Sequence, residues 1–103
     1  MEIIRLTEDN FEGEVQNTQM PVLVDFYADW CENCKEFAVV IEEIAQESKD
    51  VKFCMIDTSK EEQISCKYNI DCLPTLIVFK KGRVAAASEG VVSKEEVLKL
   101  IRS

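Results

Sequence analysis

The apolar positions of this 103-residue chain fall into runs whose period changes from segment to segment. "PVLVDFYA" is almost continuously apolar, which predicts a strand covered on both faces. Phe37, Val40, Ile41, Ile44 and Ala45 then recur at helical spacing and predict a long amphipathic helix beginning around Cys34. The stretch "WCENC" therefore falls at a strand-to-helix turn. Upstream, "LTEDNFEGEV" predicts a first helix: Thr7 can cap it, acidic residues follow in the positive first turn, and Phe11 and Val15 share a face. Downstream, "VKFCMID" predicts a strand and "SKEEQISCKYN" a short helix. "TLIVFK" and "RVAAAS" flank a "KG" turn and predict a hairpin. "SKEEVLKLI" opens on a capping box, Ser93 with Glu96, and sets Val97, Leu100 and Ile101 along one face of a last helix. The resulting order, β-α-β-α-β-α-β-β-α, belongs to the α/β class. It implies a mixed central sheet with helices on both faces.

Composition narrows what such a fold can do. The length suits one domain, residues 1–103, with a single core. Twenty acidic residues against 12 basic ones give a net charge of -8, with no basic run interleaved with aromatics, so nucleic acid and anionic membrane are excluded as expected partners. "MEIIRLTEDN" has no cationic start, apolar core or small-residue cleavage site, and a cytoplasmic location is expected. The chain has no His, which removes imidazole zinc sites and Cys-His proteases from consideration. Its five cysteines are an odd number, so at least one thiol stays free.

The pair Cys31 and Cys34 carries the candidate chemistry. A dithiol reductant needs one nucleophilic thiolate and a second thiol near enough to attack the mixed disulfide that forms. At the helix N-terminus Cys31 meets unpaired backbone N–H groups and the positive end of the dipole, which favour its thiolate. Cys34, one turn inside, is expected to be more buried and to resolve the mixed disulfide. It must lose a proton in doing so. Asp25 stands six residues before Cys31 in an apolar strand, where burial would raise its pKa into a range suited to proton transfer. A solvent-facing or purely structural Asp25 is equally compatible with the pattern.

"LVDFYADWCENCKEF", "IDCLPTLIVFKKGRV" and "GVVSKEEVLKLI" together resemble the thioredoxin family, in the same order and at similar separations from the first strand to the last helix. The resemblance implies the thioredoxin fold, Cys31 as nucleophile, Cys34 as resolving thiol and Asp25 as buried proton acceptor. It also implies a cis proline at Pro74, with the Leu73 backbone pairing with a substrate chain. Trp30, Gly90 and Val91 would form the apolar docking surface. Without the resemblance, Pro74 reads as an ordinary trans residue opening a strand and Trp30 as a core residue. The implied activity is reduction of protein disulfides by a monomer with no cofactor or metal beyond the Cys31–Cys34 disulfide. Its electrons would come from a thioredoxin reductase or another donor.

Three departures from the family pattern stand out, one being Met55 where a lysine that pairs with the buried aspartate is common, which should leave the Asp25 pKa higher still. Glu32-Asn33 occupies the place of the common Gly-Pro, setting a negative charge beside Cys31 that opposes the thiolate. Val39 stands where a helix-kinking proline is common, so the long helix should be straighter. Among the other cysteines, Cys54 reads as a small buried apolar residue and Cys66 as a helix residue of undetermined exposure. Cys72, two residues before Pro74, is a candidate regulatory thiol beside the cleft. The competing functions are a metal- or iron-sulfur-binding protein on the same fold, and a partner-specific redox module not served by the usual reductase.

Overall fold

A computed structural model describes residues 3–102; Met1, Glu2 and Ser103, at the ends of the expected domain, lie outside the described residues. Strands β1 (Ile4–Arg5), β2 (Val22–Tyr27), β3 (Lys52–Asp57), β4 (Thr75–Lys80) and β5 (Arg83–Glu89) form one sheet in the order β1-β3-β2-β4-β5. β1 and β2 run parallel to β3, whereas β4 is antiparallel to β2 and β5 to β4. Helices α1 (Glu32–Glu47), α2 (Glu62–Lys67) and α3 (Lys94–Arg102) complete the mixed α/β architecture expected from the sequence.

β2 is the central strand, which accounts for its unbroken apolar run. Val22, Val24 and Phe26 pack on one face with Phe11, Val15 and Ile64, while Leu23 packs on the other with Phe37, Ile41, Ile44 and Val97. Side chains alternate along a strand, so Asp25 shares the Leu23 face and points toward α1.

The first predicted helix is a correction. The chain makes a helical turn from Thr7, with Phe11 N–H donating to Thr7 O at 3.0 Å, and then widens into a π-helical turn over Glu12–Gln16, closed by Asn17 N–H on Glu12 O at 3.0 Å. Tertiary packing explains the distortion. Phe11 and Val15 are both buried as expected, and the Phe11 ring meets Phe79 edge-on at 5.9 Å beside Tyr68. The turn adapts to that aromatic cluster more than to its own propensity. Thr7 keeps its capping part, accepting from Asn10 N–H at 3.3 Å.

Two helix boundaries also move. α1 starts at Glu32, with Cys31 as its N-cap, two residues before the expected start around Cys34. α2 is shorter than expected, because Asp57 holds the preceding turn: its carboxylate accepts from Ser59 N–H and Oγ, and its carbonyl from Lys60 and Glu61 N–H. Ser93 caps α3 through Glu96 N–H at 3.2 Å.

The β4–β5 hairpin turns on Lys81 and Gly82, with φ of 55° and 79°. Two successive positive φ values match the twist of a two-residue hairpin and favour glycine. A Cβ on Gly82 would also lie 3.2 Å from Gln16 O. Gly82→Ala should therefore lower stability by about 1–2 kcal/mol in urea denaturation. Gly13→Ala, whose Cβ would meet nothing within 4 Å, should stay within about 0.5 kcal/mol of the parent.

Candidate functional site

The site forms where three strand ends meet. β2 runs out at Tyr27, and the chain crosses a short turn, with Cys31 N–H on Ala28 O at 3.1 Å, before entering α1. Thr58, just past β3, donates both its N–H and its hydroxyl to Tyr27 O at 2.8 and 3.0 Å, fastening that loop beside the turn. β4 begins at the same end, preceded by a cis Leu73–Pro74 bond.

Cys31 and Cys34 lie at disulfide distance, with Cα atoms 5.3 Å apart. Cys31 sulfur accepts the Cys34 N–H at 3.2 Å, and so fills the N-cap role usually taken by an oxygen side chain. The residue at which negative charge would develop is thus the one facing the positive end of a 16-residue helix. Cys31 is 8% exposed and Cys34 2%, the asymmetry expected of an outer and an inner thiol.

In front of Cys31 lies a groove of about 550 Å³, lined by Trp30, Cys31, Glu32, Asn33, Thr58, Ile70, Asp71 and Leu73. Trp30 is 73% exposed, so it belongs to this surface and the core reading fails. Pro74 is buried, and its carbonyl accepts Gly90 N–H at 2.7 Å, which fixes the Gly90-Val91 segment beside the cis proline. Val91 is 54% exposed there. The structure therefore brings Trp30, Leu73, Pro74, Gly90 and Val91 to the end of the sheet that carries the dithiol.

Behind the pair is a second cavity of about 150 Å³, which Cys34 and Asp25 line together with Tyr27, Ala28, Asp29, Lys35, Ala38 and Met55. Asp25 is only 2% exposed, and its Oδ1 has no hydrogen-bond partner. Its neighbours in register are Met55 on β3 and Leu76 on β4. Loss of hydration on burial pushes its pKa from 3.8 up to about 7. The solvent-facing alternative is thereby excluded. A cavity of this size has room for water between the carboxyl group and Cys34.

The remaining cysteines separate by environment. Cys54 is fully buried, and burial pushes its thiol up to about 12, only partly opposed by nearby Lys52 and reinforced by Glu14. Such a thiol is inert. Cys66 and Cys72 are free and exposed. Asp71 and Leu73 line the groove on either side of Cys72, which itself does not. Among the described residues there is no group of three or more Cys, Asp, Glu or His placed to hold a metal ion. Sequence reasoning missed Thr58, Ile70 and Asp71 as groove residues. They come from segments that only the strand order brings to Cys31: Ile70 and Asp71 open the stretch before Pro74 that carries the family resemblance, without themselves signalling a groove, and Thr58 lies in no motif.

Comparison with known proteins agrees with this geometry. The family model described as Thioredoxin matches residues 2–103. "Thioredoxin C-2" of Corynebacterium nephridii is 38% identical over 100 residues, covering 96% of this chain and 93% of that protein. "Thioredoxin" of Allochromatium vinosum is 38% identical over 98% of this chain and 95% of its own length. "Thioredoxin Y1, chloroplastic" of Arabidopsis thaliana is 36% identical over 98% of this chain and 59% of its own length.

The raised pKa of Asp25 has a consequence for stability. Between about 3.8 and about 7 the folded state holds a proton that the unfolded chain releases, so this residue's contribution falls as pH rises through the folded pKa. Asp25→Asn should be more stable than the parent, and the gap should widen by roughly 2–3 kcal/mol from about pH 5 to about pH 8.5 in urea denaturation. A pH-independent gap would show that Asp25 keeps an ordinary pKa.

Proposed function

The chain belongs to the thioredoxin family and is a thiol–disulfide oxidoreductase of the protein-disulfide reductase type, and from that premise we propose how its residues divide the work. The carrying observation is that Cys31 caps α1 at the floor of an open groove while Cys34 lies behind it on a cavity shared with Asp25. The Cys31 thiolate attacks one sulfur of a substrate disulfide, forming a mixed disulfide and releasing the other sulfur as a thiolate. Cys34 gives up its proton, to Asp25 directly or through water in the cavity, and attacks Cys31 Sγ. The Cys31–Cys34 disulfide forms and the substrate leaves having gained two electrons, as a dithiol once its sulfurs take up the proton given up by Cys34 and one from solvent.

Trp30, Leu73, Pro74, Gly90 and Val91 form the docking surface in this reading, with the Leu73 backbone pairing with the substrate chain. Cys72 is assigned as an exposed thiol open to oxidation beside the groove. The dithiol needs no cofactor, and a reductase or other donor returns it to the reduced form. Residues 1–103 act as a single domain and a monomer. Three free cysteines fit a reducing, cytoplasmic compartment, and no helix among the described residues is long and apolar enough to cross a membrane.

Dithiothreitol-driven reduction of insulin tests the roles. Cys31→Ser and Cys34→Ser should each lose more than about 100-fold in rate, and only Cys34→Ser should accumulate a mixed disulfide. Trapping by Cys31→Ser instead would reverse the assignment. Glu32 opposes the Cys31 thiolate and so favours a reducing couple. Equilibration with glutathione should give a potential at or below the roughly -270 mV characteristic of thioredoxins, and a value near about -120 mV would refute this.

A further inference from the structure

The groove in front of Cys31 has a charge that the docking chemistry above does not use. Two of its lining residues, Glu32 and Asp71, are carboxylates, and none is a cation. They come from different parts of the chain: Glu32 opens α1, and Asp71 lies in the loop before the cis proline. A chain extended along Leu73 and reaching Cys31 would therefore run between two negative groups. Asp71 makes no ion pair among the described residues. Glu32 Oε1 is 3.5 Å from Lys35 Nζ, but both side chains are largely exposed, so water screens that pair and leaves Glu32 available to an incoming cation. Asp29, adjacent to Trp30 and also exposed, adds to the same sign.

We infer that this groove selects disulfides whose attacked cysteine is flanked by lysine or arginine, with Glu32 and Asp71 as the specificity-determining residues. The inference rests on the proposed part of Cys31. Two features make the selection physical. A concave surface of low-dielectric protein focuses the field of charges on its walls, and charge complementarity acts mainly on the association rate. Attack at Cys31 also turns a thiolate into a neutral mixed disulfide while releasing a substrate thiolate close by. A neighbouring substrate cation stabilises that leaving group in a place where Glu32 and Asp71 otherwise oppose it.

The test uses two synthetic peptides, each closed by one intramolecular disulfide and identical except for Lys or Glu beside the cysteines. Second-order rate constants are measured by mixing each with the pre-reduced protein. The Lys peptide should react about 10-fold faster at low ionic strength, and the ratio should fall below about 3-fold in about 0.5 M salt. Asp71→Asn should cut the low-salt ratio about 3-fold, and Glu32→Gln with Asp71→Asn should bring it close to unity. Glu12→Gln with Glu95→Gln makes the same change in net charge at exposed positions off the groove and should keep most of the ratio. A change of all rates by one factor in Glu32→Gln would reflect thiol reactivity alone, whereas a change in the ratio reports selection. Equal rates for the two peptides, or equal loss of the ratio in the remote pair, would overturn the inference and leave the disulfide chemistry standing. Reduction of neither peptide by the folded, reduced protein would overturn both.

Discussion

The position of β2 at the centre of the sheet governs the whole active end of the molecule. A strand hydrogen-bonded to β3 on one side and β4 on the other, with apolar layers above and below, cannot slip or tilt without breaking both ladders and uncovering both cores. Its carboxyl end therefore delivers Ala28 to Cys31 to a fixed place, and α1 can start only there. The parallel β3 ends beside it and supplies Thr58, and the antiparallel β4 begins beside it and supplies Leu73 and Pro74. One parallel and one antiparallel neighbour thus place two loops and a helix N-terminus around a single sulfur. Open α/β sheets generally form their sites at the carboxyl ends of parallel strands. Here an antiparallel strand adds a third wall, led in by Leu73 and the cis Pro74.

Asp25 shows what that rigidity permits. Its carboxyl group sits in the middle of the central strand, with Met55 and Leu76 as neighbours and one oxygen unpartnered. An arrangement of this kind costs stability whenever the group is ionised, and a looser strand would turn it toward water. The apolar pattern of Val22, Leu23, Val24 and Phe26 fixes the register, so the carboxyl group stays inward and its pKa stays near neutrality. The same burial would make a poor acid-base group if nothing connected it to the chemistry. The cavity shared with Cys34 supplies that connection.

Much of this was legible in the sequence because it rests on local patterns. The apolar runs and helical periodicities located β2, β3, β4, α1 and α3, and the strand-to-helix turn between β2 and α1 located Cys31. Features set by distant contacts were not legible. The π-helical turn at Glu12–Gln16 answers to an aromatic cluster built from Phe11, Tyr68 and Phe79, which lie far apart in the chain. Trp30 taken by itself reads as a core residue, and its outward placement was reached only through family resemblance before the turn showed it 73% exposed. The cis bond before Pro74 was reached through family resemblance, since an isolated Leu-Pro pair favours trans. Thr58 lies in no motif, and Ile70 and Asp71, although inside the stretch before Pro74, carry no sign of facing a groove.

Two acidic residues beside the dithiol, Asp25 and Glu32, are opposites in this respect. Asp25 acts from inside the sheet, where any change in its charge alters stability together with chemistry. Glu32 acts from the exposed first turn of α1, where its carboxylate is solvated and replacement disturbs little packing. A negative residue in a first turn is also favourable to the helix itself, so α1 tolerates it while the neighbouring thiolate does not. Potential and substrate preference can therefore vary at the dipeptide between the cysteines without touching β2 or its core. In the proposed division of work, the fold separates the two demands by depth: proton handling belongs to the strand, and tuning to the turn that follows it.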